Sequence, residues 1–120
     1  MEFSDTMKKN HEFRRLYDRG KSAATPVLVV YCRKTKRNTN LIGFTVSKKI
    51  GNAVCRNRIR RRLREIYRLN ESRLRRGYDI VAVARVKSRY AAYAELEGAF
   101  LSACARLNLL EEPAKSGDKT

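Results

Sequence analysis

No aspartate or glutamate occurs between Asp18 and Glu65, and His11 is the only histidine in the 120 residues. These absences remove most protein-borne catalysis. A lone histidine in a basic helix start leaves no Ser-His-Asp or Cys-His constellation to assemble, and the acids are too scattered for a two-metal nuclease cluster. Neither a P-loop nor a G-x-G-x-x-G stretch is present. The three cysteines, Cys32, Cys55 and Cys104, are odd in number and form no C-x-x-C pair, which suits reduced thiols in the cytoplasm rather than a zinc site. No apolar run approaches the roughly 20 residues a membrane span needs, and the first residues lack the order of a signal peptide. A cytoplasmic protein with no metal ligands of its own is expected.

Positive charge is what the chain has in excess. The 28 lysines and arginines against 12 acids give a formal charge of +16 and a pI near 10.4, beyond what solubility requires and suited to a polyanionic partner. At this length one domain is expected, over residues 1–110, followed by a polar, disordered tail over 111–120.

The charge converges on Ser47 to Arg68, SKKIGNAVCRNRIRRRLREIYR. Asn52 is placed to cap a helix running from Ala53 to about Leu69, in which Ile59, Leu63, Ile66 and Tyr67 recur at three-and-four spacing and make one apolar face. Projected at about 100° per residue, Asn57, Arg60, Arg61, Arg64 and Arg68 fall opposite that stripe, with Arg56 and Arg62 at its edges. Guanidinium groups on neighbouring turns repel one another unless a polyanion lies across them, and arginine binds phosphate bidentately. Glu65 alone cannot neutralise them. A basic amphipathic helix can also lie in a membrane interface, but this one has no Trp or Phe and its apolar face is needed to cover strands.

Elsewhere the periodicity predicts a helix over Asn10 to Arg19, capped by Asn10 and ended by Gly20, then strands over Val27 to Lys34 and Leu41 to Ser47 joined by a basic hairpin-type turn at Thr35 to Asn40. Asp79 to Arg85 reads as an interior strand because both its faces are apolar, and Ala91 to Leu107 as a closing helix. The order α-β-β-α-β-α, with room for an extra short strand, makes an α+β two-layer sandwich. By parity Leu28, Val30 and Cys32 share one face, while Val27, Val29, Tyr31 and Arg33 share the other. On the second strand Ile42, Phe44 and Val46 oppose Leu41, Gly43, Thr45 and Ser47. A face of Gly, Thr, Ser and Tyr is either a solvated sheet surface or a floor with room for a ligand. Phe13 and Tyr17, one helical turn apart, are either core or a stacking surface.

The run VSKKIGNAVCRNRIRRRLREIYR, together with EFRRLYDRG at Glu12 to Gly20 and GYDIVAVAR at Gly77 to Arg85, resembles the bacterial ribonuclease P protein component from about Lys8 to Leu107. The resemblance implies a left-handed β-α-β crossover, against the general right-handed rule, and a subunit of the ribonucleoprotein endoribonuclease that removes the 5′ leader of precursor tRNA. It implies that catalysis belongs to an RNA subunit using Mg²⁺, with no catalytic residue on the protein and no obligate protein partner. It further assigns Lys48, Lys49, Asn52, Arg56, Asn57, Arg58, Arg60, Arg61 and Arg64 to contact with the catalytic RNA, and the projection adds Arg68. Phe13, Tyr17 and Tyr31 would line a cleft for the single-stranded leader, with Ser47 and Lys48 at its mouth. Tyr17 stands where the family often has Phe, Cys55 takes a frequently aliphatic place, and Arg replaces Lys at several helix positions. The alternative is a ribosomal or general structural RNA-binding protein, which shares the size and charge.

Overall fold

The computed structural model describes residues 3–7 and 10–111; the predicted tail falls almost wholly outside them. The elements are β1 (Ser4–Thr6), α1 (Asn10–Arg19), β2 (Lys21–Ala24), β3 (Leu28–Lys34), β4 (Asn40–Thr45), α2 (Ala53–Asn70), β5 (Tyr78–Ala84) and α3 (Tyr93–Arg106). Short 3-10 turns at Lys48–Ile50, Glu71–Arg73 and Val86–Tyr90 join the later ones. The α+β class stands, and two short strands, β1 and β2, join those read from the sequence.

The sheet runs β1-β4-β5-β3-β2. This overturns the hairpin expected at Thr35 to Asn40. β5 lies between β3 and β4, antiparallel to the first and parallel to the second. A strand with apolar side chains on both faces has most to gain from a central position, and β5 takes it. β4, α2 and β5 thus form a parallel crossover unit.

Register divides the sheet cleanly by parity. Leu28, Val30, Cys32, Ile42, Ile80 and Ala82 share the first face and belong to one core with Ile59, Leu63 and Ile66 of α2 and Leu96, Phe100 and Ala103 of α3. Val27 departs from the parity reading: it precedes β3 and is buried in this same core. Tyr93, at the start of α3, and Leu107, just past its end, pack against the core from the rim. Cys32 and Cys104 are buried as expected, and burial pushes the Cys104 thiol up to about 12. Cys55 is buried too and is free.

The second face carries three cross-strand rows: Thr45, Val83, Val29; Gly43, Val81, Tyr31; and Leu41, Asp79, Arg33. α1 crosses the middle row. Its approach is fixed where the Met7 amide donates to the Ile42 carbonyl, and its exit where Gly20 closes against Cys32. Leu16, Met7 and Val81 make the small core beneath it. Two glycines permit the crossing: a Cβ on Gly43 would stand 2.7 Å from the Phe13 ring, and one on Gly20 would stand 2.6 Å from the Leu16 carbonyl oxygen.

A buried polar network joins β1, β4, α2 and β5 at the far end of the sheet. The Tyr67 hydroxyl lies 2.6 Å from Ser4 Oγ and accepts from Asn40 Nδ2 at 3.3 Å, while Asn40 Oδ1 accepts from the Tyr78 amide at 2.9 Å. Gly77, just before β5, has φ +91°, and a Cβ there would meet the Arg37 carbonyl oxygen at 2.7 Å. Gly77→Ala is expected to cost about 1–3 kcal/mol of stability, read as a lowered urea midpoint with an unchanged slope; an unchanged midpoint would show that this turn relaxes freely.

Candidate nucleic-acid interface

The interface is built outward from the buried stripe of α2. Ile59, Leu63, Ile66 and Tyr67 are all buried, as their spacing predicts, and Asn52 caps the helix by accepting the Cys55 amide at 2.9 Å. With that side fixed to the sheet, Asn57, Arg58, Arg61, Arg64 and Arg68 must face solvent, and they do. Arg56 and Arg60 are half-buried. Arg56 Nε donates to the Gly51 carbonyl at 3.2 Å and ties the glycine loop to the helix, while Arg60 Nη1 donates to Asn57 Oδ1 at 3.0 Å. Lys48, Lys49 and Asn52 are exposed on the loop that leads in.

Arg58, Arg61 and Arg64 have no carboxylate partner among the described residues. Arg68 differs: its Nε and Nη2 donate to Glu65 at 3.0 and 2.7 Å, a partnership the helical projection does not reveal. That hydrogen bond holds the Glu65 carboxyl below the usual carboxylate range.

Sequence reasoning passed over the Val86–Tyr90 turn, which has no periodic signal. It packs beside the Lys48–Ile50 turn: Arg89 Nη1 donates to the Ile50 carbonyl and Arg62 Nη1 to the Ala91 carbonyl, both at 3.4 Å. Lys87, Arg89 and the 79% exposed Tyr90 thereby join the basic rim. The only hint in the sequence was the pairing of cations with an aromatic in KSRY.

On the second face the three predicted cleft rings come together, but not equivalently. Phe13 is half-buried against Gly43 and the small core, so it is wall and core at once. Tyr17 is exposed, meets Tyr31 edge-on with centroids 5.0 Å apart, and its hydroxyl lies 3.0 Å from Thr45 Oγ1. Thr45 was placed on this face by parity without being given a partner. Ser47 and Lys48 are exposed just beyond the end of β4.

An exposed arginine ridge backed by a buried apolar stripe, on a sheet whose other face offers aromatic rings, defines an RNA-binding α+β protein. Comparison with known proteins makes the class specific. Residues 1–108 match the family described as Ribonuclease P. The chain is 40% identical over 110 residues to the ribonuclease P protein component of Alkaliphilus metalliredigens (strain QYMF), covering 92% of this chain and 99% of that one. It is 44% identical over 111 residues to that of Clostridium novyi (strain NT), covering 91% and 98%. Among solved structures, the RNase P protein of Staphylococcus aureus is similar at a TM-score of 0.82 with 31% identity, covering 88% of this chain and 97% of that one. The protein from Thermotoga maritima is similar at 0.75 with 27% identity, covering 82% and 93%.

The chain belongs to the ribonuclease P protein component family. It is a subunit of the ribonucleoprotein endoribonuclease that matures the 5′ end of tRNA. No helix among the described residues is long and apolar enough to cross a membrane.

Glu65→Gln should release the Arg68 guanidinium and strengthen binding of polyanionic RNA. Filter binding across a salt series is expected to give tighter binding and a steeper slope than wild type. Since the depressed Glu65 carboxyl stays ionised at neutral pH, the pair weakens only as pH falls through that lowered value, and the gain should vanish there. Equal slopes at neutral pH would mean that Arg68 does not reach phosphate.

Proposed function

We propose that this subunit grips the catalytic RNA of ribonuclease P through the α2 ridge and holds the 5′ leader of precursor tRNA in the cleft beside α1. The observation that carries the reading is the set of solvent-facing guanidiniums on α2, Arg58, Arg61 and Arg64, that pair with no acid among the described residues. Lys48, Lys49, Asn52, Arg56, Asn57, Arg58, Arg60, Arg61, Arg64 and Arg68 are the proposed contacts to the catalytic RNA. Their roles differ. Arg58, Arg61 and Arg64 are free to take phosphate, Arg56 holds the loop in place for Lys48 and Lys49, and Asn52 caps with Oδ1 while its exposed amide can still donate outward.

For the leader, Tyr17 and Tyr31 offer the open rings, Phe13 closes the wall, and Ser47 with Lys48 stands at the mouth. Stacking on such rings is worth about 1–3 kcal/mol per base and tolerates any base, as a subunit acting on many leaders requires. Mature tRNA lacks those bases. Contacts made only by the precursor therefore favour substrate over product, while phosphate contacts set the orientation.

The family implies Mg²⁺. Among the described residues no three His, Cys, Asp or Glu side chains converge as a metal site, and Asp79, on the leader face, is already held by Arg33 and Arg37. The protein's donor set does not fit the ion, so we assign Mg²⁺ to the RNA subunit. Three free thiols support placing the particle in the cytoplasm.

Arg61→Ala and Arg64→Ala are each expected to weaken binding to the catalytic RNA and to lower the salt slope by about 0.9 per lost duplex phosphate contact. Unaltered slopes would remove the ridge from the RNA. Tyr31→Ala should leave assembly intact and reduce the preference for precursor over mature tRNA by about tenfold, the equivalent of a modest stacking loss. A preference that survives in both Tyr31→Ala and Tyr17→Ala would return these rings to the role of structural surface.

A further inference from the structure

α1 has two flanks on the second face, and the proposed leader cleft uses only one. Phe13 sits over Gly43 of the middle row, and Tyr17 meets Tyr31 and reaches Thr45 of the row beside it. On the other flank His11, Arg14, Arg15, Asp18 and Arg19 join Arg33 around an open depression of about 410 Å³. Four of its six lining residues are arginines, and Asp18 is its single acid. Its floor is also short of negative charge. Arg33 Nη2 lies 3.8 Å from Asp79 Oδ2, but Arg37 binds the same carboxylate more closely, and Arg33 Nε is buried with no hydrogen-bond partner. One carboxylate shared by two guanidiniums leaves a local positive excess that a phosphate would satisfy.

The hollow is separate from the α2 ridge, which is carried by the element covering the sheet's first face. It is close to the aromatic cleft. Tyr31 and Arg33 lie on the same face of β3 two residues apart, about 7 Å along the strand. α1 crosses over Tyr31 with Arg33 on its outer flank, and ends at Gly20 against the Cys32 carbonyl, where β2 begins to pair with β3. A strand lying along the cleft past Tyr17 and Tyr31 reaches the Gly20 end of the helix, and rounding it brings the strand to Arg19 and Arg15.

We propose that the outer flank of α1 is a second phosphate-binding surface, occupied by the upstream continuation of the same single-stranded leader. The inference rests on the cleft reading above. The cleft reads the nucleotides near the cleavage site by stacking; the hollow reads the backbone further upstream by charge alone. It therefore adds affinity for long leaders without adding sequence preference.

The test uses the assembled holoenzyme and three RNAs: mature tRNA, precursor with a leader just long enough to occupy the cleft, and precursor with a leader several nucleotides longer. In wild type the long leader should bind more tightly than the short one, with a salt slope steeper by about 0.7 for each added single-strand phosphate contact. The double variant Arg15→Gln, Arg19→Gln, both exposed on the helix surface, should lose that increment, about five- to tenfold in affinity for two such contacts. Binding of the short leader and of mature tRNA should not change. Circular dichroism and unchanged affinity for the catalytic RNA establish that the variant is folded. The proposal is overturned if the increment from the longer leader is the same in wild type and variant, or if the variant weakens all three RNAs equally, which would place the patch on the tRNA body or the catalytic RNA. Failure of the cleft reading shows separately, as a short leader that gains nothing over mature tRNA.

Discussion

Seven arginines and one glutamate in the eighteen residues of α2 set the constraint on which the molecule turns. Guanidiniums at neighbouring turns repel, and an isolated helix of this composition would gain little from i,i+4 pairing. What holds it is underneath. The buried Ile59, Leu63, Ile66 and Tyr67 lock it to the sheet, the Asn52 cap fixes its start, and Asn70 ends it with its amide donating to the Ile66 carbonyl and to Glu97. Apolar burial at about 25 cal/mol per Å² thus stabilises a charge arrangement that is unfavourable on its own. The same arrangement becomes favourable when phosphate lies across it, so folding and RNA binding are linked: an anion that binds the native state alone stabilises it by mass action.

The sheet separates the arginine ridge from the aromatic face. Its first face is spent on α2 and α3, and this allows α2 to be rigid where it presents its ridge. Its second face carries only α1, laid across the middle row, so that the rows on either side stay partly open. Gly43 and Gly20 determine how closely α1 can settle, because larger residues would lift it from the strands and separate Tyr17 from Tyr31. The small residues on this face are what make a cleft possible, although they contribute little to binding themselves.

Most elements were legible because they rest on local physics. The α2 cap, its apolar stripe and the interior place of β5 follow from residue type and spacing. The β3 to β4 hairpin was misread because Thr35 to Asn40 has good turn chemistry, yet a central strand with two apolar faces competes for the same edges and wins. β1 and β2, at three and four residues, carry too few side chains for a periodic signal and depend on neighbours far along the chain. At the interface, spacing identified Arg61, Arg64 and Arg68 as outward-facing, but it also placed Arg60 there, which is half-buried, and left out Arg58, which is exposed. It could not show that Arg68 is taken by Glu65, that Arg56 braces the loop, or that the Val86–Tyr90 turn lies alongside it, since each depends on rotamers or tertiary contact.

The poverty of acids that first set this sequence apart suits its surface to holding a polyanion. A carboxylate near the ridge would raise its own cost by repelling phosphate, and one near the leader would compete with the backbone for the arginines. Asp79 shows how such a group is tolerated: it is buried between strands and faced by both Arg33 and Arg37, so its charge is answered from within the protein. An active site built from carboxylates would need several of them unpaired and exposed to substrate, in the very field that draws the RNA in. A surface tuned to hold a polyanion and a surface tuned to position metal ions with acids make opposite electrostatic demands. In a chain of this size the first demand has been met throughout, and reactive groups are left to the RNA partner.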